Sequence, residues 1–210
     1  MTHPSTHPLT RRTSDDVDAA VATASADSVR SWQELATALS APDLTELVDA
    51  AGSALVAALV GGGALLVAGN GGSAAIASHV AAEFIGKCVQ DRAPLPAINL
   101  AESLSSITAV ANDYGYDQVF ARGILAHGRP GDVFLAMTTS GTSPNVLAAL
   151  DVAAQRGLVT IVLTGAKGEG LHGRADHVLI VPSDQTPRIQ EVHMLWAHAW
   201  CEAVDALSQP

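Results

Sequence analysis

His79 and Glu83 stand four residues apart. On a helix such a pair shares one face, where an imidazole and a carboxylate can hold one cation or relay one proton. Pairs of this kind are common on helix surfaces, so the pair alone selects neither role. A second set lies near the C-terminus, where Arg188, Gln190, Glu191, His193 and His198 are interspersed with Met194, Leu195, Trp196 and Trp200 on one helical stretch. On that stretch alone the histidines read as interfacial side chains packed beside tryptophans. His127, His172 and His177 fall at element ends and in loops and read as structural.

Two turns offer a different chemistry. Gly69-Asn70-Gly71-Gly72-Ser73 leaves an apolar run and enters a helical one. Glycines there let the backbone approach a ligand, and a helix N-terminus presents N–H groups to an anion; a tight turn with Ser73 as N-cap is the plainer reading. No lysine follows at the Walker A position, and the full G-x-G-x-x-G of a dinucleotide site is missing. The second turn, Thr138-Thr139-Ser140-Gly141-Thr142-Ser143, gathers five hydroxyls before Pro144. Proline suits the first position of a helix, and neutral donors at a helix start suit a phosphate.

The elements that must position these residues alternate along the chain. Strands are expected at 64–68, 96–100, 133–137, 159–163 and 177–181, and helices at 73–86, 104–112, 118–127, 144–156, briefly near Leu171, and at 188–207. Five strands separated by helices specify an α/β, three-layer sandwich with a five-stranded parallel sheet. Its two chemical turns then lie at the carboxyl ends of strands, the edge where open α/β sheets bind ligands. Two further helices, 27–39 and 43–60, precede the sheet as an N-terminal arm. Residues 1–26 are expected to be a flexible tail, and 27–210 a single domain that includes those helices.

Composition narrows the classes of function. Among 210 residues, 48% are apolar but only 4% aromatic, so the core is built from Ala, Val, Leu and Ile. A formal charge of −10 disfavours binding to nucleic acid phosphates or to an anionic membrane. The longest apolar run, 54–68, is broken by Gly61, Gly62 and Gly63 and falls short of the roughly 20 residues that span a bilayer. The N-terminus lacks the apolar segment of a secretory signal, so a soluble cytoplasmic protein is expected. Cys88 and Cys201 have neither metal-motif spacing nor the density of a disulfide framework and read as packed thiols.

Together, GNGGS (69–73), HVAAE (79–83), VANDYGYDQVF (110–120), TTSGTS (138–143), TIVLTG (160–165) and RIQEVHMLWAH (188–198) resemble the sugar isomerase (SIS) family, and within it the phosphoheptose isomerases. The resemblance implies the SIS fold and conversion of sedoheptulose 7-phosphate to D-glycero-D-manno-heptose 7-phosphate through an enediol(ate). It implies sugar phosphate binding by Asn70, Gly71, Gly72, Ser73, Glu83, Asn112, Asp113, Thr138, Thr139, Ser140, Ser143 and Gln190. Glu83 and His198 become the acid/base pair. His79, Glu83, Gln190 and His198 become ligands of a divalent metal, zinc, one per subunit. A homotetramer with active sites at subunit boundaries is implied as well. The chemistry agrees, because aldose-ketose isomerisation needs a base for the proton alpha to a carbonyl and an acid for the carbonyl oxygen.

Gln190 and His198 pose a geometric question, since eight residues of regular helix separate them by roughly 12 Å. Either the helix starts irregularly, or the side chains converge from its two ends, or they come from different subunits. The chain also departs from the family pattern at Ile76, Thr142 and Pro187, where an acid, an Asn and an Asp are frequent. Competing readings are a non-enzymatic SIS scaffold for a replication initiator, a sugar-phosphate sensor, and an isomerase of another ketose phosphate. Glu83 and His198 together favour an enzyme, because a scaffold needs neither.

Overall fold

The computed structural model describes residues 12–208; residues 1–11 of the expected tail lie outside the described residues. Helix α1 spans Ser14–Leu39 and so begins well before the expected Asp27. A reciprocal cap sets its start: Thr13 N donates to Asp16 Oδ2 at 3.0 Å, and Asp16 N donates to Thr13 Oγ1 at 3.1 Å. This is a capping box with Asp in the usual Glu position. The helix lacks a continuous apolar stripe and leaves Val17, Val21 and Val29 exposed, so hydrophobic periodicity does not reveal its first turns. The chain divides into two units between Ala38 and Leu39, with α1 forming the described part of the first.

The second unit begins with α2 (Pro42–Val60) and continues through β1 (Leu65–Gly69), α3 (Gly72–Ile85), β2 (Ala97–Asn99) and α4 (Leu104–Tyr114). A 3-10 turn at Tyr116–Gln118 leads into α5 (Val119–His127), then β3 (Val133–Thr138), α6 (Pro144–Gln155) and β4 (Val159–Thr164). A second 3-10 segment, Ala166–Leu171, precedes β5 (His177–Ile180) and α7 (Thr186–Leu207). All five strands are parallel, in the order β2-β1-β3-β4-β5. The expected five-stranded parallel sheet is therefore present, its strand ends shifted by a residue at most.

Every residue of β1 and β3 is buried, as a sheet covered on both faces requires. Side chains alternate between the faces. Leu66, Ala68, Phe134, Ala136 and Val162 pack with Val119, Phe120 and Ile124 of α5 and with Val146, Ala149, Leu150 and Ala153 of α6. The alternate set, Leu65, Val67, Leu135, Met137, Ile161 and Leu163, is equally buried on the side of α2, α3 and α7. The result is a three-layer α/β sandwich around a five-stranded parallel sheet. Among the described residues no helix is long and apolar enough to cross a membrane.

His193 lies fully buried on α7. Burial pushes its imidazole down from 6.5 to about 4, a shift only partly opposed by the Thr164 backbone. Between those values the unfolded chain binds a proton that the folded chain refuses, so stability falls as pH falls. Unfolding in urea at stepped pH should show a loss of about 3 kcal/mol between pH ~6.5 and ~4. The loss should be absent from His193→Gln.

Candidate active site

Strands β1 and β3 are neighbours, but the chain leaves β1 toward β2 on one side and leaves β3 toward β4 on the other. This is the switch point at which the loops diverge and open a crevice beyond the carboxyl ends of the strands. Both chemical turns lie there, since Gly69 of β1 pairs in register with Met137 of β3. In the first turn Gly71 takes φ 55° and ψ −121°, a backbone that glycine adopts freely and other residues resist. Helix α3 starts at Gly72, so Ser73 is a buried residue of its first turn and not the cap.

In the second turn Thr138 Oγ1 and Ser143 Oγ are 3.1 Å apart, and Ser140 Oγ accepts from Thr142 N at 3.3 Å and from Thr142 Oγ1 at 3.1 Å. Ser143 is the N-cap residue of α6, but its hydroxyl pairs with Thr138 and makes no capping bond. Thr139, Ser140 and Ser143 are half-buried beside exposed Thr142, a small basin of hydroxyls at a helix start.

The two turns are tied together by a residue that the motif reading did not single out. Asn145, buried in the first turn of α6, exchanges two amide hydrogen bonds with Asn70: Asn70 Nδ2 donates to Asn145 Oδ1 at 2.9 Å, and Asn145 Nδ2 donates to Asn70 Oδ1 at 2.8 Å. Tyr116 adds a third link, its hydroxyl donating to Asn70 Oδ1 at 3.0 Å. Tyr116 follows the Asn112–Asp113 pair, which lies exposed on the last turns of α4 with Asn112 Nδ2 donating to Asp113 Oδ1 at 2.7 Å. The sequence holds no local signal for Asn145 or Tyr116, because their partner lies 75 and 46 residues away.

Farther along α3, His79 and Glu83 meet His198 of α7. His79 Nε2 lies 3.3 Å from Glu83 Oε1 and 3.0 Å from His198 Nε2, the two rings standing edge to face with centroids 5.2 Å apart. One ligand atom from each of the three residues falls within 4.8 Å of the other two. Two imidazole nitrogens aimed at each other share one proton or face one cation, and a donor set of two imidazoles and one carboxylate fits zinc. A divalent cation bound there would act as a Lewis acid on a ligand oxygen.

Helix α7 is continuous through Gln190 and His198, so no irregular start draws them together. Gln190 lies against Gly72, where an added Cβ would sit 2.6 Å from its Nε2. Helices α3 and α7 therefore run side by side in the same direction: Gln190 is at the turn end with Gly72, and His198 is at the cluster end with His79. Ile76 and Pro187, two of the departures from the family pattern, line one cavity of about 400 Å³ with Gln190, Glu191 and Met194.

Residues 29–165 match the model of the SIS domain. The chain belongs to the SIS domain family. It is 50% identical to the phosphoheptose isomerase of Bradyrhizobium sp. (strain ORS 278) over 154 residues, 73% of this chain and 78% of that protein. It is 49% identical to that of Solidesulfovibrio magneticus over 163 residues, 78% of this chain and 79% of the relative. Among solved structures, the phosphoheptose isomerase of Neisseria gonorrhoeae is similar with a TM-score of 0.79 and 38% identity, covering 90% of this chain and 99% of that one. The one from Francisella tularensis gives 0.78 and 36%, covering 93% and 100%.

Asn145→Ala leaves Asn70 without its reciprocal partner and should cost about 1–3 kcal/mol of stability. Denaturant unfolding measures that cost. The same variant should bind inorganic phosphate more weakly in calorimetry, because the two turns lose their tie; unchanged binding would place the anion elsewhere.

Proposed function

We propose that this SIS-family protein is a phosphoheptose isomerase of the cytoplasm, converting sedoheptulose 7-phosphate to D-glycero-D-manno-heptose 7-phosphate. That it is an isomerase of sugar phosphates follows from relatives half identical to it over three quarters of its length. The observation that carries the finer reading is the meeting of His79, Glu83 and His198 at one end of α3, with both phosphate-suited turns at the other. From Gly72 to His79 the helix rises about 10 Å. A seven-carbon chain ending in a phosphoester extends to a similar ~10 Å, at about 3.5 Å for every three bonds.

In this reading Asn70, Gly71, Gly72 and Ser73, with Thr138, Thr139, Ser140 and Ser143, receive the phosphate end. Gln190 at Gly72 and the Asn112–Asp113 pair position the hydroxylated chain. Glu83 and His198 act as the acid/base pair: one removes the proton from the carbon alpha to the carbonyl and returns it to the neighbouring carbon. The other protonates the carbonyl oxygen and deprotonates the adjacent hydroxyl. Zinc, one per subunit, would be held by His79, Glu83 and His198; Gln190, which the resemblance adds to the ligands, lies at the Gly72 end of the same chain and would complete such a site only from another subunit. A homotetramer agrees with the open groove between α2 and α7, about 700 Å³ and lined by Val48, Val56, Val60, Trp200 and Leu207.

A second reading, isomerisation of a different ketose phosphate, is favoured by one observation. Ile76 and Pro187 fall on a single cavity beside Gln190, so two departures act at one place on substrate fit.

Glu83→Gln and His198→Asn should each fold and each lose about 10²–10⁴-fold in turnover, read by NMR as conversion of sedoheptulose 7-phosphate. Substantial activity in either variant removes that residue from the chemistry. Chelation should lower wild-type activity and added zinc restore it; full activity in metal-free protein excludes the cation from the mechanism and spares the acid/base pair.

A further inference from the structure

Cys88 and Cys201, far apart in sequence and without motif spacing, meet in the fold. Their sulfurs and a carboxylate oxygen of Glu83 all lie within 4.8 Å of one another. The three come from different places: Glu83 from α3, Cys88 from the loop after it, and Cys201, buried, from α7.

A buried ion pair fixes this arrangement. Asp205, one turn beyond Cys201 on α7, accepts from the amides of Val89 at 2.7 Å and Gln90 at 2.9 Å, and from Arg92 Nε at 2.7 Å. The side chains of Arg92 and Asp205 are 1% and 2% exposed. Arg92 Nη2 donates to the Glu83 carbonyl at 2.9 Å and lies 3.6 Å from Cys201 Sγ, while its Nη1 donates to the Phe84 carbonyl at 2.9 Å. The loop bearing Cys88 is thus bound at its amides to the helix bearing Cys201, and at Arg92 to the end of the helix bearing Glu83.

Two sulfurs and one carboxylate oxygen form a donor set for a soft or borderline divalent cation. In a tetrahedral site with metal–sulfur bonds of about 2.3 Å, two sulfurs stand ~3.8 Å apart, so little closure is needed from the spacing present. A guanidinium donating to one sulfur is the kind of second partner that orients a metal thiolate, and the charge of Arg92 is already matched by Asp205. Cys88 is partly exposed, which gives a cation a way in. Burial, foremost, holds the Cys88 thiol up at about 12 and raises that of Cys201, so a cation binds by displacing protons from both.

We propose that Glu83, Cys88 and Cys201 form a second metal site, taking zinc or cadmium and sharing the Glu83 carboxylate with the His79–His198 cluster. The site stands on its own residues and does not depend on which sugar phosphate the protein isomerises.

The test is a cadmium titration of the full chain, stripped of metal, reduced with a phosphine and checked for two free thiols, following the ultraviolet thiolate-to-cadmium charge-transfer band. Wild type should develop the band to stoichiometric saturation, and His79→Ala should retain it. Cys88→Ser and Cys201→Ser should each lose at least half of it, and Glu83→Gln should weaken the affinity about tenfold or more. No band in folded, reduced wild type overturns the proposal, and so does a full band in Cys88→Ser. Should the buried Cys201 variant fail to fold, Cys88→Ser decides alone, because that side chain is only partly buried.

Discussion

The candidate site depends on the side-by-side, co-directional packing of α3 and α7. It sets Gln190 against Gly72, His198 against His79 and Cys201 beside Glu83, and brings Asp205 to the loop beyond α3. Both helices follow strands of one parallel sheet and return along the same face, so their common direction is a consequence of the topology. Gly72 carries no side chain where the Gln190 amide rests, and a Cβ there would displace the end of that flexible side chain. A slip of one turn, about 5.4 Å, would separate His198 from His79 and dissolve the cluster.

The spacing along that seam keeps Gln190 and His198 at opposite ends within one chain. In the proposed reading an extended sugar phosphate would span it. One end offers amides and hydroxyls, the other imidazoles and a carboxylate. In a chain of formal charge −10 the anion-facing end relies on neutral donors and helix termini. A phosphate bound there, as proposed, would be held by short-range geometry and not drawn in by a long-range field.

Rigidity comes from buried polar contacts that surround the candidate site. The Asn70–Asn145 exchange binds the two turns across the switch point, and the Arg92–Asp205 pair binds the loop after α3 to α7. Each is buried or nearly so, and each would leave an expensive unpaired group if one partner were lost. The Asp205 carboxyl is raised by burial, but the Val89 and Gln90 amides and Arg92 together outweigh that and hold it below its ordinary value.

The sequence by itself determined whatever depends on neighbours a few residues apart. Alternating apolar runs with glycine and proline punctuation placed all five strands and the helices from α2 onward. The glycine turn, the hydroxyl turn and the His79–Glu83 pair were legible for the same reason. At α1 the local code was present but unusual: the Thr13–Asp16 cap and an alanine-rich helix without an apolar stripe put its start ahead of where periodicity pointed. Tertiary structure alone decided that Asn145 and Tyr116 hold Asn70, that Gln190 lies at one end of the seam and His198 at the other, and that Cys88 meets Cys201 and Glu83. These contacts join residues up to 119 apart. Their register is set by side-chain packing between helices, and no local propensity encodes it.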